Sequence, residues 1–125
     1  MTYGERQTGA ADDQLPLIKG TVDLLVLKAV SFGPTHGFGI ALWLEEHSGG
    51  SLAIDDSAMY QVLHRIEAKG YVTAEWGVTE NNRKARYYRL TSAGRKHLRT
   101  ETAIWLRYTS SVTTILTLAA RTARE

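Results

Sequence analysis

A run of basic side chains occupies one short segment in the second half of the chain, and its members are Arg83, Lys84, Arg86 and Arg89. Guanidinium and ammonium groups are the usual protein donors to phosphate oxygens. The acidic residues lie mostly elsewhere, so the cluster stands out although the formal net charge is only +2. The segment indicates contact with a polyanion such as DNA, while a solvated hairpin face would have the same composition.

A second group of polar side chains precedes this cluster and recurs at helical spacing. One face of the predicted helix is apolar and is formed by Met59, Val62, Leu63 and Ile66. The opposite face carries Ser57, Tyr60, Gln61, His64, Arg65 and Lys69. Hydroxyl, amide, imidazole and cationic groups are those that contact base edges and phosphates. The pattern predicts a helix that presses its polar face against DNA, with a core position as the alternative for Tyr60.

Two helices are predicted ahead of the polar helix, from their capping residues and from the spacing of their apolar residues. The first helix is predicted to begin with Thr21 as its N-cap and to end before Pro34. The second helix spans residues 37–47, with His36 as its cap and Trp43 outside its apolar stripe. That stripe consists of Phe38, Ile40, Ala41 and Leu44.

The polar helix and the basic cluster belong to consecutive elements. Asp55 and Asp56 provide capping acceptors at the start of the third helix. Residues 71–76 and 85–90 are rich in β-branched and aromatic side chains, which predicts two strands. Residues 80–84 supply turn formers and charge between them. A helix followed directly by a basic hairpin is the arrangement with which a winged helix meets DNA.

The last part of the chain, residues 92–125, is predicted to be one long helix with a heptad seam. The positions of this seam are Leu98, Trp105, Val112 and Ala119, with Tyr108 and Ile115 at the alternate heptad positions. A small domain cannot bury so long an apolar stripe alone. We therefore expect this helix to pair with the same helix of a second subunit.

Composition and chain ends narrow the remaining classes of function. Residues 1–14 are polar and aperiodic, which predicts a mobile tail ahead of a domain over 15–91. The 125 residues include no cysteine, no secretory signal and no apolar run of the ~18 residues needed to span a bilayer. The histidines have no metal-ligand spacing, and no hydrolase or phosphate-loop motif occurs. We expect a cytoplasmic protein without catalytic activity, metal or cofactor.

Four segments resemble the PadR family of bacterial transcriptional regulators. They are LIKGTVDLLVLKAV, GPTHGFGIALWLEE, MYQVLHRIEAKGYV and NNRKARYYRLTSAG, which together cover about residues 15–95. The resemblance implies a mainly α, α+β winged helix-turn-helix with a β-hairpin wing and a single C-terminal dimerisation helix. It further implies a homodimeric repressor that binds a roughly palindromic DNA operator. Some members lose DNA affinity when a phenolic compound or hydrophobic drug binds, so a small aromatic or hydrophobic effector is expected.

The resemblance assigns roles to individual positions. Tyr60 matches the tyrosine of the family's recognition helix, and Arg83, Lys84 and Arg86 match its basic wing. Alternatively, one of Arg86 and Arg89 pairs with an acidic residue of the same domain. In drug-binding relatives a tryptophan on the dimer helix stacks on flat ligands.

Trp105 occupies a similar place on the dimer helix, where Tyr108 and Ile104 would line the ligand slot. The alternative is that Trp105 is interface core alone.

Departures from the family pattern leave a second function open. Ala58 stands where the family often has a hydroxyl, Gln61 replaces a common proline, and Asp55 and Asp56 place negative charge at a helix N-terminus that would otherwise attract phosphate. Ala58 and the two acids would fit a small-molecule-binding or protein-interaction dimer on a winged-helix scaffold, with DNA binding weak or lost.

Overall fold

The computed structural model of this protein describes residues 14–18 and 20–120, which contain four helices and one two-stranded antiparallel sheet. This architecture confirms the predicted α+β winged helix. Nearly all of the predicted N-terminal tail, residues 1–13, lies outside the described residues. The elements are α1 (Val22–Val30), α2 (Gly37–His47), α3 (Asp56–Ala68), β1 (Val72–Val78), β2 (Lys84–Leu90) and α4 (Ser92–Leu116).

Helix α1 lies at the centre of the core, as its apolar sequence predicts. Val26 and Leu27 are fully buried and Lys28 is exposed. Complete burial of one such aliphatic side chain contributes about 1.5–3 kcal/mol. The predicted N-cap was only partly right, because the Thr21 hydroxyl donates to the carbonyl oxygen of Ile18 at 2.7 Å and caps no helical N–H.

Helix α2 has the predicted bounds, and its predicted cap is confirmed: Nδ1 of His36 accepts the N–H of Gly39 at 3.1 Å. Two predictions for its faces were wrong. Phe38 is 74% exposed, and Trp43 is partly buried against the core. The reason is the helical angle. Ile40 defines the buried line, from which Phe38 is rotated by about 200° and Trp43 by only about 60°.

The hairpin is longer than predicted, because β1 continues to Val78 and β2 starts at Lys84. Gly77, which resembles a strand breaker in the sequence, lies inside β1. A Cβ atom there would lie 2.8 Å from Cδ1 of Tyr87, so the glycine leaves room for that ring. The strands pair in a regular register that runs from Val72 opposite Leu90 to Val78 opposite Lys84.

A short bridge attaches the wing to the loop between α1 and α2. The N–H of Thr35 donates to the carbonyl of Tyr88 at 3.2 Å, and the N–H of Tyr88 donates back at 2.7 Å. Tyr88 itself is buried. The base of β2 is therefore held from both sides, by β1 and by this loop.

The junction between the wing and α4 is a compact hydrogen-bonded corner. The Thr91 hydroxyl accepts the N–H of Gly94 at 2.9 Å and donates to the carbonyl of Gly70 at 2.7 Å. The N–H of Thr91 donates to the carbonyl of Tyr71 at 3.0 Å. Helix α4 therefore starts in a direction set by the base of the hairpin.

Two residues assigned to the predicted heptad seam have other positions in the structure. Leu98 is 8% exposed and belongs to the core of its own domain, because the first turns of α4 still pack against the winged helix. Ala119 lies beyond the end of α4 at Leu116. The predicted helix was therefore too long, and residues 121–125 of that prediction lie outside the described residues.

Candidate nucleic-acid interface

Helix α3 separates its apolar and polar residues as the sequence predicts. Met59, Val62, Leu63 and Ile66 are buried. The six polar residues predicted to contact DNA are all exposed, namely Ser57, Tyr60, Gln61, His64, Arg65 and Lys69. One side of the helix is thus fixed to the core while the other is available to a partner.

Tyr60 is part of this exposed face and not of the core. It is 69% exposed, which excludes the alternative of a core tyrosine. Its ring stacks on that of His64, with centroids 5.9 Å apart and planes inclined by 18°. The two aromatic residues are one helical turn apart, so they form a flat, polar-edged platform on the outer face of α3.

Arg65 is the member of this polar face that forms an ion pair within the described part of the chain. Its Nε donates to the Asp23 carboxylate at 2.9 Å, and a second nitrogen contacts the other carboxylate oxygen. These hydrogen bonds, with the charge of Asp23, raise the pKa of the Arg65 guanidinium. Arg65 therefore links α3 to α1 and can reach phosphate only by sharing its guanidinium or leaving this pair.

The acids at the start of α3 have a local role. Oδ1 of Asp55 accepts the N–H of Ala58 at 2.8 Å, which confirms the predicted N-cap. Asp56 lies in the first turn, where a carboxylate is favourable for the helix dipole. The structure thus gives both acids a stabilising function that is independent of any ligand.

The turn of the wing holds two cations away from the domain. Oγ1 of Thr79 accepts the N–H groups of Asn81 and Arg83, and Asn82 has a positive φ of 61°. The asparagines are thus turn formers, as predicted. Arg83 and Lys84 are both exposed, and neither makes an ion pair within the described part of the chain.

Arg86 is different from the two cations at the tip. It donates to Oε2 of Glu67 on α3 at 3.1 Å, which confirms the alternative that one wing arginine pairs with an acid. The guanidinium carbon lies 6.0 Å from the ring centroid of Trp76 and 5.8 Å from that of Tyr88. Arg86 therefore links the wing to α3, the other candidate DNA-contacting element.

Trp76 is a prominent wing residue that was not among the predicted site residues. It is 66% exposed on β1. Its spacing could have identified it, because Trp76 continues the alternation of Val72 and Ala74 along one face of the strand towards the basic segment. An aromatic residue interleaved with cations is a frequent feature of nucleic-acid surfaces.

The outer part of α4 carries apolar side chains that its own domain does not cover. Of the predicted seam and slot residues, Ile104, Tyr108 and Ile115 are 50–66% exposed, and Trp105 and Val112 are partly buried. Leu106 and Leu116 are exposed apolar residues that the heptad pattern did not include.

The described residues contain no group of three or more metal-ligating side chains. Within the same part of the chain, no helix is long and apolar enough to cross a membrane.

Comparisons with known proteins agree with this fold. The model of the transcriptional regulator PadR-like family matches residues 26–100. An uncharacterized protein of Lysinibacillus sphaericus is 28% identical over 82 residues, which are 66% of this chain and 75% of that protein.

Solved structures give the same result. A PadR family transcriptional regulator from Eggerthella lenta has 27% identity and a TM-score of 0.69, covering 81% of this chain and 86% of that one. The protein smu.1704 from Streptococcus mutans has 26% identity and a TM-score of 0.73, with coverages of 86% and 97%. Since the family model matches more than half of the chain, and the chain has the fold expected for it, this protein belongs to the PadR-like family of transcriptional regulators.

Proposed function

We propose that this protein is a homodimeric transcriptional repressor that binds a roughly palindromic operator through α3 and the wing. The observation that carries the proposal is the combination of an exposed polar face on α3 with exposed cations at the wing tip. The Arg86–Glu67 pair holds these two elements together. A helix beside a basic hairpin can occupy the major groove while the hairpin follows the phosphates or the adjacent minor groove.

The two elements would divide affinity and specificity between them. Tyr60, Gln61 and His64 offer groups that can contact base edges or phosphates from the major groove. Arg83 and Lys84 would neutralise phosphates, which contributes affinity without sequence information. Arg65 is assigned a mainly positioning role, because its guanidinium already binds Asp23.

Dimerisation would be supplied by α4. This helix has 25 residues, but only Gly94 and Leu98 are buried in its own domain. The exposed apolar side chains further along, above all Tyr108 and Ile115, would be covered by the same helix of a second subunit. Two recognition helices would then reach half-sites about one DNA turn, roughly 10 base pairs, apart.

The wing cations provide the direct test of DNA binding. Replacing both Arg83 and Lys84 with alanine is expected to weaken binding to every duplex. It should also reduce the slope of log K against log salt concentration by about 0.9 for each lost phosphate contact. Fluorescence anisotropy with a labelled duplex from upstream of the protein's own gene, over a series of salt concentrations, measures both effects.

The matched control is the double variant Arg99→Ala/Arg107→Ala, which removes the same charge from exposed positions on α4. It should lower affinity much less than the wing variant and leave the slope nearly unchanged. An unchanged slope in the wing variant would remove the wing from the DNA, and no binding by the wild type at low salt would reject the proposed function.

We further propose that an effector of planar aromatic character binds between the α4 helices of the dimer. Trp105 and Tyr108 are three positions apart on one helix face, and Ile104 is half exposed beside them. An indole and a phenol on paired helices would form an apolar slot with polar edges. Ligand binding there would change the angle between the two wings and lower the population that fits the operator.

Tryptophan fluorescence tests this slot. Planar aromatic dyes are expected to quench the wild type and to quench the variant Trp105→Ala much less. The chain has three tryptophans, so Trp43→Phe and Trp76→Phe serve as matched controls that should retain the response. Quenching that survives Trp105→Ala unchanged would reject the slot.

The structure weakens the support for a dimer without DNA binding. That alternative depended on Asp55, Asp56 and Ala58, and the capping bond of Asp55 gives this acid an ordinary structural role.

A further inference from the structure

The core-side face of the hairpin continues past the edge of the domain as an exposed apolar surface. Side chains of a strand alternate between faces, so Val72, Ala74, Trp76 and Val78 share one face of β1. Val72 is buried, whereas Trp76 and Val78 are 66% and 61% exposed. A contiguous exposed apolar patch of this kind is informative, because folding of the described chain does not require it.

Two cations lie beside the Trp76 ring. In the hairpin register Trp76 is opposite Arg86 and Val78 is opposite Lys84, so all four side chains lie on one face. Nζ of Lys84 is 5.8 Å from the centroid of the Trp76 ring, and the guanidinium carbon of Arg86 is 6.0 Å from it. Both distances are within the range of cation–π attraction.

The ring is also linked to α3 through Arg86. Arg86 binds Glu67 on that helix, so the side chain that contacts Trp76 is the one that joins the wing to the recognition helix. A series of contacts therefore leads from Glu67 on α3 through Arg86 to Trp76.

We propose that Trp76 is a DNA-contacting residue that packs its indole against deoxyribose in the minor groove beside the α3 half-site. The inference rests on the proposed function and extends it with a contact that is apolar. Apolar side chains are common in minor-groove binding, where they pack against the nucleotides while neighbouring Arg and Lys side chains occupy the groove. The positions of Lys84 and Arg86 beside the ring match this division.

The contact has a signature that distinguishes it from the wing cations. Burial of an indole releases no counterions, so its loss should weaken binding by the same factor at every salt concentration. The expected factor for Trp76→Ala is about tenfold, the size of a lost aromatic contact with ~1.4 kcal/mol of binding free energy. Lys84→Ala should instead lower the salt slope by about 0.9.

The experiment compares the wild type with Trp76→Ala, Trp76→Phe and Lys84→Ala on the labelled duplex from upstream of the protein's own gene, over a salt series. The proposal expects parallel lines for the wild type and Trp76→Ala, with Trp76→Phe between them. Equal affinity of Trp76→Ala and the wild type would overturn it. A slope change equal to that of Lys84→Ala would also overturn it, because Trp76 would then act only by holding the lysine.

Two further measurements distinguish loss of the Trp76 contact from loss of folding and from failure of the proposed function. Thermal unfolding of Trp76→Ala should match the wild type, since the side chain is mostly exposed. In the variant Trp43→Phe/Trp105→Phe, whose single tryptophan is Trp76, duplex DNA should shift the emission to shorter wavelength. An unshifted spectrum with DNA bound would overturn the inference alone, whereas failure of the wild type to bind any duplex would overturn it together with the proposed function.

Discussion

Replacing Tyr108 and Ile115 together with glutamate is expected to convert the proposed dimer into monomers and to lower operator affinity by at least about 100-fold. Both side chains are more than 60% exposed in the single chain, so the substitution should not disturb the core. In the dimer each glutamate would be buried without a partner, at a cost of several kcal/mol per charge. Loss of the second half-site removes an avidity of roughly 10²–10⁴.

Sedimentation velocity measures the assembly and fluorescence anisotropy measures the affinity. The matched control is Ala103→Glu/Ser110→Glu, which introduces the same charges at exposed positions on the opposite side of the heptad. It should remain dimeric. A wild type that sediments as a monomer at the concentrations of the binding assay, or a Tyr108/Ile115 variant that remains dimeric, would show that α4 is not the dimer interface.

Substitution of Gly94 with alanine is expected to lower the free energy of unfolding by about 2–4 kcal/mol, a large effect for one methyl group. A Cβ atom at this position would overlap the carbonyl oxygen of Tyr71 and would lie 2.9 Å from Cδ1 of Leu90. The first of these is a backbone atom, so it cannot turn away as a side chain would. The start of α4 must then move away from the base of the hairpin.

Urea unfolding followed by circular dichroism measures the loss. Gly37→Ala is the matched control, because it adds the same methyl group to the first turn of α2, where its nearest neighbours would be at ordinary contact distances of 3.5 and 3.6 Å. That variant should be neutral or slightly stabilised, as glycine-to-alanine changes in helices usually are. Equal stability of the two variants would contradict the predicted overlap.

Much of the fold could be predicted because its signals are local. The caps of α2 and α3 depend on a single polar side chain before each helix, and His36 and Asp55 have the predicted bonds. The apolar face of α3 follows from the spacing of four residues. Such features need only a few neighbouring residues to be read correctly.

The features that were mispredicted or absent from the prediction depend on contacts between distant parts of the chain. Heptad spacing is the same for a residue that faces a partner helix and for one that faces its own domain. Leu98 was predicted on the dimer seam for this reason, and only the path of the chain at the Thr91 junction turns it towards its own domain. The Arg65–Asp23 pair joins residues on different helices, and the Arg86–Glu67 pair joins a strand to a helix. The sequence therefore counted Arg65 with the DNA-contacting cations, and it predicted an acidic partner for Arg86 or Arg89 only as an alternative, without identifying that partner.

The bridge between Thr35 and Tyr88 holds the hairpin at its base and leaves its turn without a support of this kind. Its base is held by the two hydrogen bonds of the bridge and, further out, by the Arg86–Glu67 pair, while the turn and the strand end at Lys84 extend beyond these contacts. The longer the unsupported end of a hairpin is, the less accurately its last residues are positioned. A few residues inserted into the turn would cost the folded domain little free energy. They would nevertheless loosen the position of the terminal cations, so the short turn around Asn82 matters more for positional accuracy than for stability.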